Sequence, residues 1–512
     1  MNLQLDYFSI TSFLVFLVVL FRIVSDWKKK STNLRLPPGP SKLPIIGSVH
    51  HLIGMDVDLP YHAFADLAKK YGPLMHLQLG QMSLVVASSA KMFKELMKEN
   101  DLAISQRPVP YVARVLNDAG RDIAFVPYGD YWRQIRKISR MELFSVRKVQ
   151  SLYYIREDQS NKMIDAIRGS SETVMNLSKA VSDYTSTVVA RAAFGSGCKD
   201  QDKFIKLSLE MVAAAGAVST LPDMFPALGF IPILSGKKAF LQNIQKEADK
   251  ILDYIIDEHI QRTKSKDYDG KESDKEDIVD VLLRLEKTGE LEIPITTQDI
   301  KAVIWSVFAG GTDTSSTTTL WAMSELMRNP KVMEKVQAEV REKLKGKKEI
   351  LEADIQDLPY MRAVIKETLR LRIPGPLLLP RETMEPIEVD GYVIPEKTKI
   401  LFNAWAVTRD PELWENPESF IPERFIEKQI DFKGTNYEFT PFGSGRRICP
   451  GMNFGIANVE LPLAKLLYYF NWQLPHGMKP EDLDMTAKFG VVCGRKNDLF
   501  LIPTPYNIEG QN

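Results

Sequence analysis

A glycine-rich loop with a single cysteine, followed directly by a long apolar stretch, constrains the fold more than any other feature of this sequence. Residues 442–451 read F-G-S-G-R-R-I-C-P-G. Because its three glycines have no Cβ, the backbone of this loop can approach a flat and bulky partner closely. The apolar residues 452–470 predict a long buried helix. Cys449 is therefore expected just before a helix N-terminus.

This position favours particular chemistry for the Cys449 thiol. Free backbone N–H groups and the positive end of the helix dipole favour thiolate over thiol. Such a thiolate can be a metal ligand or a nucleophile, and a nucleophile needs a histidine partner to take its proton. None of the six histidines lies in a recognisable motif. Since a lone cysteine can also be a buried structural thiol, the residues alone leave these interpretations open.

Composition excludes several classes of protein. The 512-residue chain has 66 Lys and Arg against 66 Asp and Glu, so no net charge attracts it to nucleic acid, and we expect no such partner. Its hydrophobic content of 44% and charged content of 26% are ordinary for a globular protein and exclude disordered or multi-spanning membrane proteins. The three cysteines, Cys198, Cys449 and Cys493, are too far apart in sequence for a zinc cluster.

The amino-terminal segment differs from the rest of the chain. Residues 7–24 are almost wholly apolar and close to the length that crosses a bilayer. Trp27 and three lysines follow, and the positive-inside rule then leaves the remaining chain cytosolic. A cleaved signal peptide would need a basic region before the apolar run and small residues after it, and both are missing. We expect a transmembrane anchor with its basic flank over residues 1–30, and a stiff proline-rich hinge over 31–47.

The remaining residues, 48–512, predict one large mainly helical domain with a smaller strand-rich portion. Helical periodicity dominates and predicts helices that include residues 249–264, 331–345 and 361–371, and no linker separates two cores. Strand-like runs occur at residues 74–79, 84–87, 387–394 and 500–503. Residues 264–277 are charged, with alternating sign, and predict a solvated connection between helices.

The predicted helix over residues 299–327 has a poor helical sequence in its middle. Each of Gly310 and Gly311 costs about 1 kcal/mol relative to alanine in a helix. A small residue and a hydroxyl four residues apart, here Gly310 and Thr314, can open the backbone ladder to a ligand or water. The alternative is a kinked core helix with Asp313 in a salt bridge.

Several motifs together resemble the cytochrome P450 family over the whole chain. The decapeptide 442–451 resembles its heme-binding loop, and residues 309–314 resemble its (A/G)GxDT oxygen-binding element. Glu367–Arg370 matches ExxR, and residues 422–425 match the PERF segment. Trp132–Arg136 resembles the WxxxR element. The resemblance implies the cytochrome P450 fold.

The resemblance also implies a role for each matching residue. Cys449 would be the axial ligand of heme b iron, and Glu367 and Arg370 would pair and hold Arg424. Thr314 and Asp313 would deliver protons, while Gly310 would admit dioxygen. The remaining expected cofactor contacts are Trp132, Arg136, Arg381 and Arg447 at the propionates, with Phe442 and Gly443 in the loop itself.

The implied function is a heme-thiolate monooxygenase that inserts one oxygen atom of O2 into an apolar small molecule, by hydroxylation or epoxidation. The thiolate would push electron density onto the iron and favour O–O cleavage. We find no dinucleotide-binding glycine motif after a strand and no flavin module, so electrons would come from NADPH through a separate cytochrome P450 reductase. A heme-thiolate isomerase or dehydratase would use the same loop, but such members tend to lack the acid and threonine pair.

The sequence most resembles plant microsomal members that hydroxylate terpenoids and alkaloids. This implies an endoplasmic reticulum enzyme with a single-pass anchor and a cytosolic catalytic domain. A terpenoid substrate is expected, with an indole alkaloid or a phenolic as the alternatives. By resemblance, the substrate pocket would be lined by residues 107–124, 207–218, 303–309, 377–379 and 489–492, most of which are apolar. Two departures bear on the pocket: Arg372-Ile373 stands where the clade commonly has His-Pro, and Val492-Cys493-Gly494 is atypical in the C-terminal substrate loop. We expect the first to shift the strand next to the heme and the second to reshape the pocket.

Overall fold

The computed structural model describes residues 35–52, 59–115, 121–195, 200–215, 221–264 and 276–507. Within these ranges no helix combines the length and apolarity needed to cross a membrane. The predicted anchor over residues 1–30 lies outside the described residues, and so does Cys198.

Helices make up most of the described chain, as predicted. They are α1 Pro60–Tyr71, α2 Ala90–Lys94, α3 Tyr111–Val115, α4 Asp130–Ile138, α5 Val146–Ser151, α6 Tyr153–Arg168, α7 Leu177–Phe194, α8 Gln201–Ala215, α9 Leu221–Met224, α10 Ile231–Leu234, α11 Lys237–Lys264, α12 Ile278–Thr288, α13 Thr297–Arg328, α14 Pro330–Lys343, α15 Pro359–Leu371, α16 Ala404–Val407, α17 Arg424–Glu427 and α18 Met452–Tyr469.

Short strands form small sheets beside the helices. They are β1 Leu74–Leu79, β2 Met82–Ala87, β3 Met175–Asn176, β4 Arg381–Glu382, β5 Ile387–Val389, β6 Tyr392–Ile394, β7 Lys399–Phe402, β8 Phe470–Gln473, β9 Ala487–Lys488, β10 Gly494–Arg495 and β11 Phe500–Pro505. The largest sheet has the order β1-β2-β7-β4, in which β2 and β7 are parallel and the other pairs antiparallel. The prediction of a smaller strand-rich portion is confirmed.

Helix α13 runs through the main core and carries the residues predicted to meet dioxygen. A reciprocal capping box begins it, because the Thr296 side chain accepts from the Asp299 N–H while the Asp299 carboxylate accepts from the Thr296 N–H. The helix packs along α7 and α18, and its second half is almost entirely buried. It ends at Arg328, because Pro330 starts α14.

A buried ion cluster joins α15 to the segment that leads to the cysteine loop. Glu367 and Arg370 form two hydrogen bonds of 2.7 and 2.8 Å, and both residues are completely buried. The Arg424 Nε donates to the same Glu367 carboxylate at 3.2 Å. The other N–H groups of Arg370 donate to the carbonyls of Thr408, Pro417 and Ser419. The ExxR match is therefore a buried cluster and not an isolated surface pair.

Some predicted boundaries differ from the observed ones. The helix predicted at 249–264 is the later part of α11, which begins at Lys237. The predicted apolar helix at 452–470 ends one residue earlier, because Phe470 begins β8 and pairs with β11. The prediction of a solvated connection over residues 264–277 is wrong at its end, because Asp277 is buried. Asp277 caps α12 and accepts a hydrogen bond from His259.

The proline-rich stretch keeps close contact with the sheet from residue 35 onward. The Val393 N–H donates to the Arg35 carbonyl, and the His76 N–H donates to the Pro38 carbonyl, each at 2.8 Å. A Cβ at Gly39 would lie 1.9 Å from the His76 carbonyl oxygen, so only glycine fits at this position. These contacts hold the described part of the predicted hinge along an edge of β1.

Candidate active site

The cysteine loop is closed by its own backbone and ends at the first turn of α18. The Cys449 N–H donates to the Phe442 carbonyl at 2.9 Å, which brings the two ends of the loop together. Gly443 and Gly445 both have positive φ, 73° and 66°, which a residue with a Cβ adopts only with strain. Cys449 thus precedes a helix N-terminus, as the sequence predicts.

The surroundings of the Cys449 sulfur shift the pKa of the thiol in opposite directions. Burial raises the pKa of the thiol, and this outweighs a hydrogen bond from the Gly451 N–H and the charge of Arg136, which both lower it. The expected preference for thiolate at the helix N-terminus is therefore opposed in the protein by desolvation.

The middle of α13 is unbroken, and its side chains are arranged around Gly310. The Thr314 hydroxyl donates to the Gly310 carbonyl at 2.7 Å, the i to i−4 bond that the spacing predicts. Gly310 is solvent-exposed although the helix around it is buried. Burial raises the pKa of Asp313, and the carboxylate forms no ion pair with any described residue, contrary to the salt-bridge alternative.

Helix α18 faces this part of α13. A Cβ at Gly311 would lie 3.8 Å from the Phe454 ring, and one at Gly455 would lie 3.9 Å from the Ser315 hydroxyl. The first turn after the cysteine loop is therefore packed beside the glycine pair of α13. The predicted oxygen element and the predicted cysteine loop, far apart in sequence, are brought together.

Two arginines at the edge of the loop carry unpaired N–H groups. Arg447 donates to the carbonyls of Ser105 and Val126, and its guanidinium lies 4.4 Å from the centre of the Trp132 ring. Arg136 donates to the Ile448 carbonyl, which fixes α4 against the loop. Arg447 Nη1 and Arg136 Nε are buried and have no hydrogen-bond partner among the described residues.

Arg381 is differently placed. Its Nη1 donates to Asp101 at 2.8 Å and its Nη2 to the Ser444 carbonyl at 2.6 Å, so its guanidinium ties β4 to the loop. The same Asp101 carboxylate accepts from the side chain and the backbone N–H of Arg446. All three arginines have partners within the protein, but Arg136 Nε and Arg447 Nη1 have none among the described residues.

Sequence reasoning placed Arg107 only at the start of a pocket-lining loop, whereas the structure shows it to be a buried arginine of this group. It donates to the carbonyls of Ala124, Leu379 and Pro380. Burial, together with repulsion from Arg381, lowers the pKa of Arg447 to about 9 and that of Arg136 to about 10. Nothing local marks Arg107, because its acceptors are backbone carbonyls distant in sequence.

The residues present fit a flat dianionic ligand. A Cβ built at Gly310, Gly443 or Gly451 would meet no other atom within 4 Å, so both facing segments border open space. The buried guanidinium donors of Arg136 and Arg447 lack acceptors at the margin of the loop, and carboxylates supply such acceptors. A sulfur, a glycine-lined gap and free arginine donors together match heme with its two propionates.

Comparison with known proteins agrees with this arrangement. The cytochrome P450 family model matches residues 37–502, so the chain belongs to the cytochrome P450 family. Over 512 residues, and all of both chains, it is 98% identical to a dihydroniloticin synthase of Melia azedarach. It is 88% identical over 509 residues to a dihydroniloticin synthase of Citrus sinensis, with 99% of each chain covered.

A solved structure has the same fold. A zebrafish cytochrome P450 solved with abiraterone superimposes with a TM-score of 0.74 over 88% of this chain and 99% of that one, at 24% identity. The chain is a cytochrome P450 monooxygenase with heme as its cofactor. Like the family in general, it uses O2, a small-molecule substrate and a redox partner.

Proposed function

We propose that this protein forms dihydroniloticin by oxygenating a less oxygenated terpenoid. The observation that carries the proposal is 98% identity to a dihydroniloticin synthase over the full length of both chains. The identity of 88% to a second enzyme of the same name supports it. An apolar terpenoid also suits the apolar residues that the family resemblance assigns to the pocket, of which Val303, Phe308 and Leu377 are buried.

The test is to follow product formation in microsomes. The chain is co-expressed with a plant cytochrome P450 reductase, supplied with NADPH and the less oxygenated terpenoid, and the product is compared with authentic dihydroniloticin by mass spectrometry. The Cys449→Ala variant is the control. A different oxygenated product, or none from protein with an intact carbon monoxide spectrum, would overturn the proposal.

The roles of the site residues form part of the same proposal. When bound, heme would supply the redox chemistry that activates dioxygen, and the Cys449 sulfur would hold its iron. Arg136 and Arg447 would use their free donors to hold the propionates, with Trp132 fixing the Arg447 guanidinium. Arg381 would act by positioning the loop through Ser444. Reduced protein treated with carbon monoxide should show the red-shifted Soret band of thiolate ligation, and Cys449→Ala should lose it.

Thr314 and Asp313 would deliver protons to bound oxygen. The Thr314 hydroxyl already donates to the Gly310 carbonyl, and rotation about its χ1 would redirect that donor toward the open side of the helix. The raised pKa of Asp313 lets its carboxyl keep a proton more readily than an exposed aspartate. Gly310 leaves room beside the hydroxyl for dioxygen.

Electrons would come from NADPH through a cytochrome P450 reductase that docks near Cys449. Lys137 and Arg140 are exposed at the end of α4 and just beyond it, and Arg136 of the same helix contacts the cysteine loop. A cationic face suits an acidic partner. Lys137→Glu with Arg140→Glu should raise the KM for the reductase about tenfold at low salt without changing the carbon monoxide spectrum. Product from purified protein and NADPH without reductase would contradict the assignment.

Attachment to the endoplasmic reticulum membrane is the last part of the proposal. Besides the predicted anchor, two segments with exposed apolar side chains meet at the turn between β1 and β2. The Gly80 N–H of this turn donates to the Ile46 carbonyl of one segment, and the Gln81 N–H donates to the Met224 carbonyl of the other. These side chains are Leu43, Ile45, Leu221, Phe230, Ile233 and Leu234, the last 80% exposed. Such a patch suits a lipid surface. Chain lacking residues 1–30 should still bind phosphatidylcholine vesicles, and Ile233→Asp with Leu234→Asp should weaken this binding.

A further inference from the structure

The two departures noted in the sequence meet at one indole ring. Strands β9 and β10 form a hairpin, with Lys488 opposite Gly494 and Ala487 opposite Arg495. The hairpin tip, defined here as residues 489–493, carries the atypical Cys493. Arg372, the other departure, lies at the end of α15. Trp321 of α13, which is 1% exposed, contacts both segments.

Cys493 is held through its backbone on both sides and through its sulfur. Its N–H donates to the Pro374 carbonyl at 2.8 Å, and its own carbonyl accepts from the Trp321 Nε1 at 3.3 Å. Its sulfur lies 3.3 Å from the Tyr61 hydroxyl, and the Tyr61 ring centre lies 6.0 Å from that of Phe489 in the tip. Cys493 thus connects the tip to three separate parts of the chain.

Two guanidinium groups hold the Trp321 ring in place. The Arg372 guanidinium lies 4.6 Å from the ring centre, and that of Arg495 lies 5.5 Å from it. Arg372 is paired with Glu325 at 2.7 Å, and Arg495 donates to the Ser324 hydroxyl at 2.9 Å. Because both partners belong to α13, the ring and the hairpin are fixed to the same helix.

The hairpin is fixed close to the proposed oxygen element. A Cβ at Gly494 would lie 3.3 Å from the Thr317 hydroxyl, so the hairpin backbone contacts α13 at this residue. Thr317 is three residues after Thr314 on the helix, which is a rise of about 4.5 Å. A small displacement of the hairpin therefore changes the distance between its tip and the Thr314 segment.

We propose that Trp321 and Cys493 are positioning residues that hold the hairpin tip at a set distance from the Thr314 segment and thereby select which carbon of the terpenoid is oxygenated. The proposal rests on the proposed function. An apolar substrate is oriented by the shape of its pocket, since few polar groups are available to orient it. Arg372 acts through Trp321, because its guanidinium lies over the ring and pairs with Glu325 of the same helix.

The test compares Trp321→Phe with a matched control. Trp321→Phe keeps an aromatic ring between the two arginines but removes the N–H that donates to Cys493. Trp472→Phe removes an equivalent bond, from Trp472 Nε1 to the Leu466 carbonyl at 2.9 Å, in β8. Cys493→Ala removes the contact with Tyr61, and Cys493→Ser restores a hydrogen-bonding group there.

Two measurements are made on heme-loaded wild-type and variant proteins that give the same carbon monoxide spectrum. Backbone hydrogen exchange in a peptide covering 487–496 should be about threefold to tenfold faster in Trp321→Phe, in keeping with the loss of one buried hydrogen bond, and unchanged in Trp472→Phe. The ratio of oxygenated isomers from the terpenoid should shift in Trp321→Phe and Cys493→Ala by at least threefold. It should return toward wild type in Cys493→Ser.

Each outcome decides one part of the proposal. Unchanged exchange in Trp321→Phe would refute the positioning role, and faster exchange with an unchanged isomer ratio would refute the selection of the oxygenated carbon. An equal shift in Trp472→Phe would mean that the effect is general destabilisation. If the wild-type protein oxidises the terpenoid to products other than dihydroniloticin, the proposed function fails, while the exchange measurement and the isomer ratio still decide the positioning role.

Discussion

Replacing Glu367 by glutamine should destabilise the protein far more than neutralising a surface carboxylate. Glu367 is completely buried and accepts hydrogen bonds from Arg370, from Arg424 and from the Ile421 N–H. Glutamine has nearly the same shape, but it has no charge and it presents an N–H2 group to guanidinium donors. Arg370, which is itself completely buried, would then lack a counter-charge.

The magnitude follows from how the buried cluster is built. Removing one partner of a buried ion pair costs about 3–5 kcal/mol, because the remaining charge stays desolvated. The carbonyls of Thr408, Pro417 and Ser419 still accept from Arg370 and keep the expected loss within this range. An exposed pair at the same i,i+3 spacing, Asp165 with Arg168 at 3.0 Å, should contribute about 0–1 kcal/mol.

The assay is chemical denaturation of heme-loaded protein, followed by fluorescence and by the Soret band. The Glu367→Gln variant should unfold at a much lower denaturant concentration than Asp165→Asn, whose unfolding midpoint should match that of wild type. If Glu367→Gln gives no folded protein, Arg424→Lys, which keeps the charge but loses the forked donors, should give an intermediate loss. Glu367→Gln within about 1 kcal/mol of wild type would refute the reasoning.

Three further predictions concern the site and a distant ion pair. Thr314→Ala should leave the substrate-induced spectral shift intact, while the product formed per NADPH falls and peroxide rises. Proton-transfer steps contribute about 100-fold to 10,000-fold in rate, which sets the scale of the expected loss. Unchanged coupling of NADPH use to product would limit Thr314 to shaping the helix. Arg447→Met should lower heme retention during gel filtration, whereas Arg446→Met, which alters an exposed side chain paired with Asp101, should have a smaller effect. Burial lowers the pKa of His259, but hydrogen bonds to the Asp277 carboxylate and the Ile255 carbonyl raise it more, so the net shift is upward. The stability that protonated His259 adds to the fold is therefore complete below about pH 6.5 and is lost as the pH rises through the raised pKa. The difference in unfolding temperature between wild type and His259→Gln should therefore be largest near pH 6 and shrink in alkaline buffer.

Much of the architecture could be predicted because it depends on local patterns. Alternating and helical periodicity located β1, α13, α15 and α18 to within about two residues, because burial of one face imposes the period on the sequence. The start of α11 was missed although the buried Leu241, Ile244 and Ala248 already follow the helical period ahead of residue 249. The end of the 264–277 connection was missed because the burial of Asp277 depends on His259, which lies eighteen residues away in the chain.

The site was predictable only in part. Cys449, Gly310 and Thr314 belong to short motifs whose spacing is itself the signal, so the sequence alone proposes them, and their roles stay predictions. It could not determine that Arg381 is paired with Asp101 while Arg136 and Arg447 keep free donors, since those partners come from distant segments. Arg107 was expected only as part of a pocket-lining loop and not as a member of this arginine group, because its acceptors are carbonyls that only the folded chain brings near it.

By itself the sequence determined the family, the mainly helical class and the positions of several helices and strands, because each depends on residue types at short spacing. Only the tertiary structure decided that Glu367 is buried with two arginines and that Arg372 and Cys493 share one indole. The physical reason is that burial and pairing depend on which distant segments meet. The same i,i+3 ion pair contributes little at the surface and several kcal/mol in the core, and no local pattern distinguishes the two.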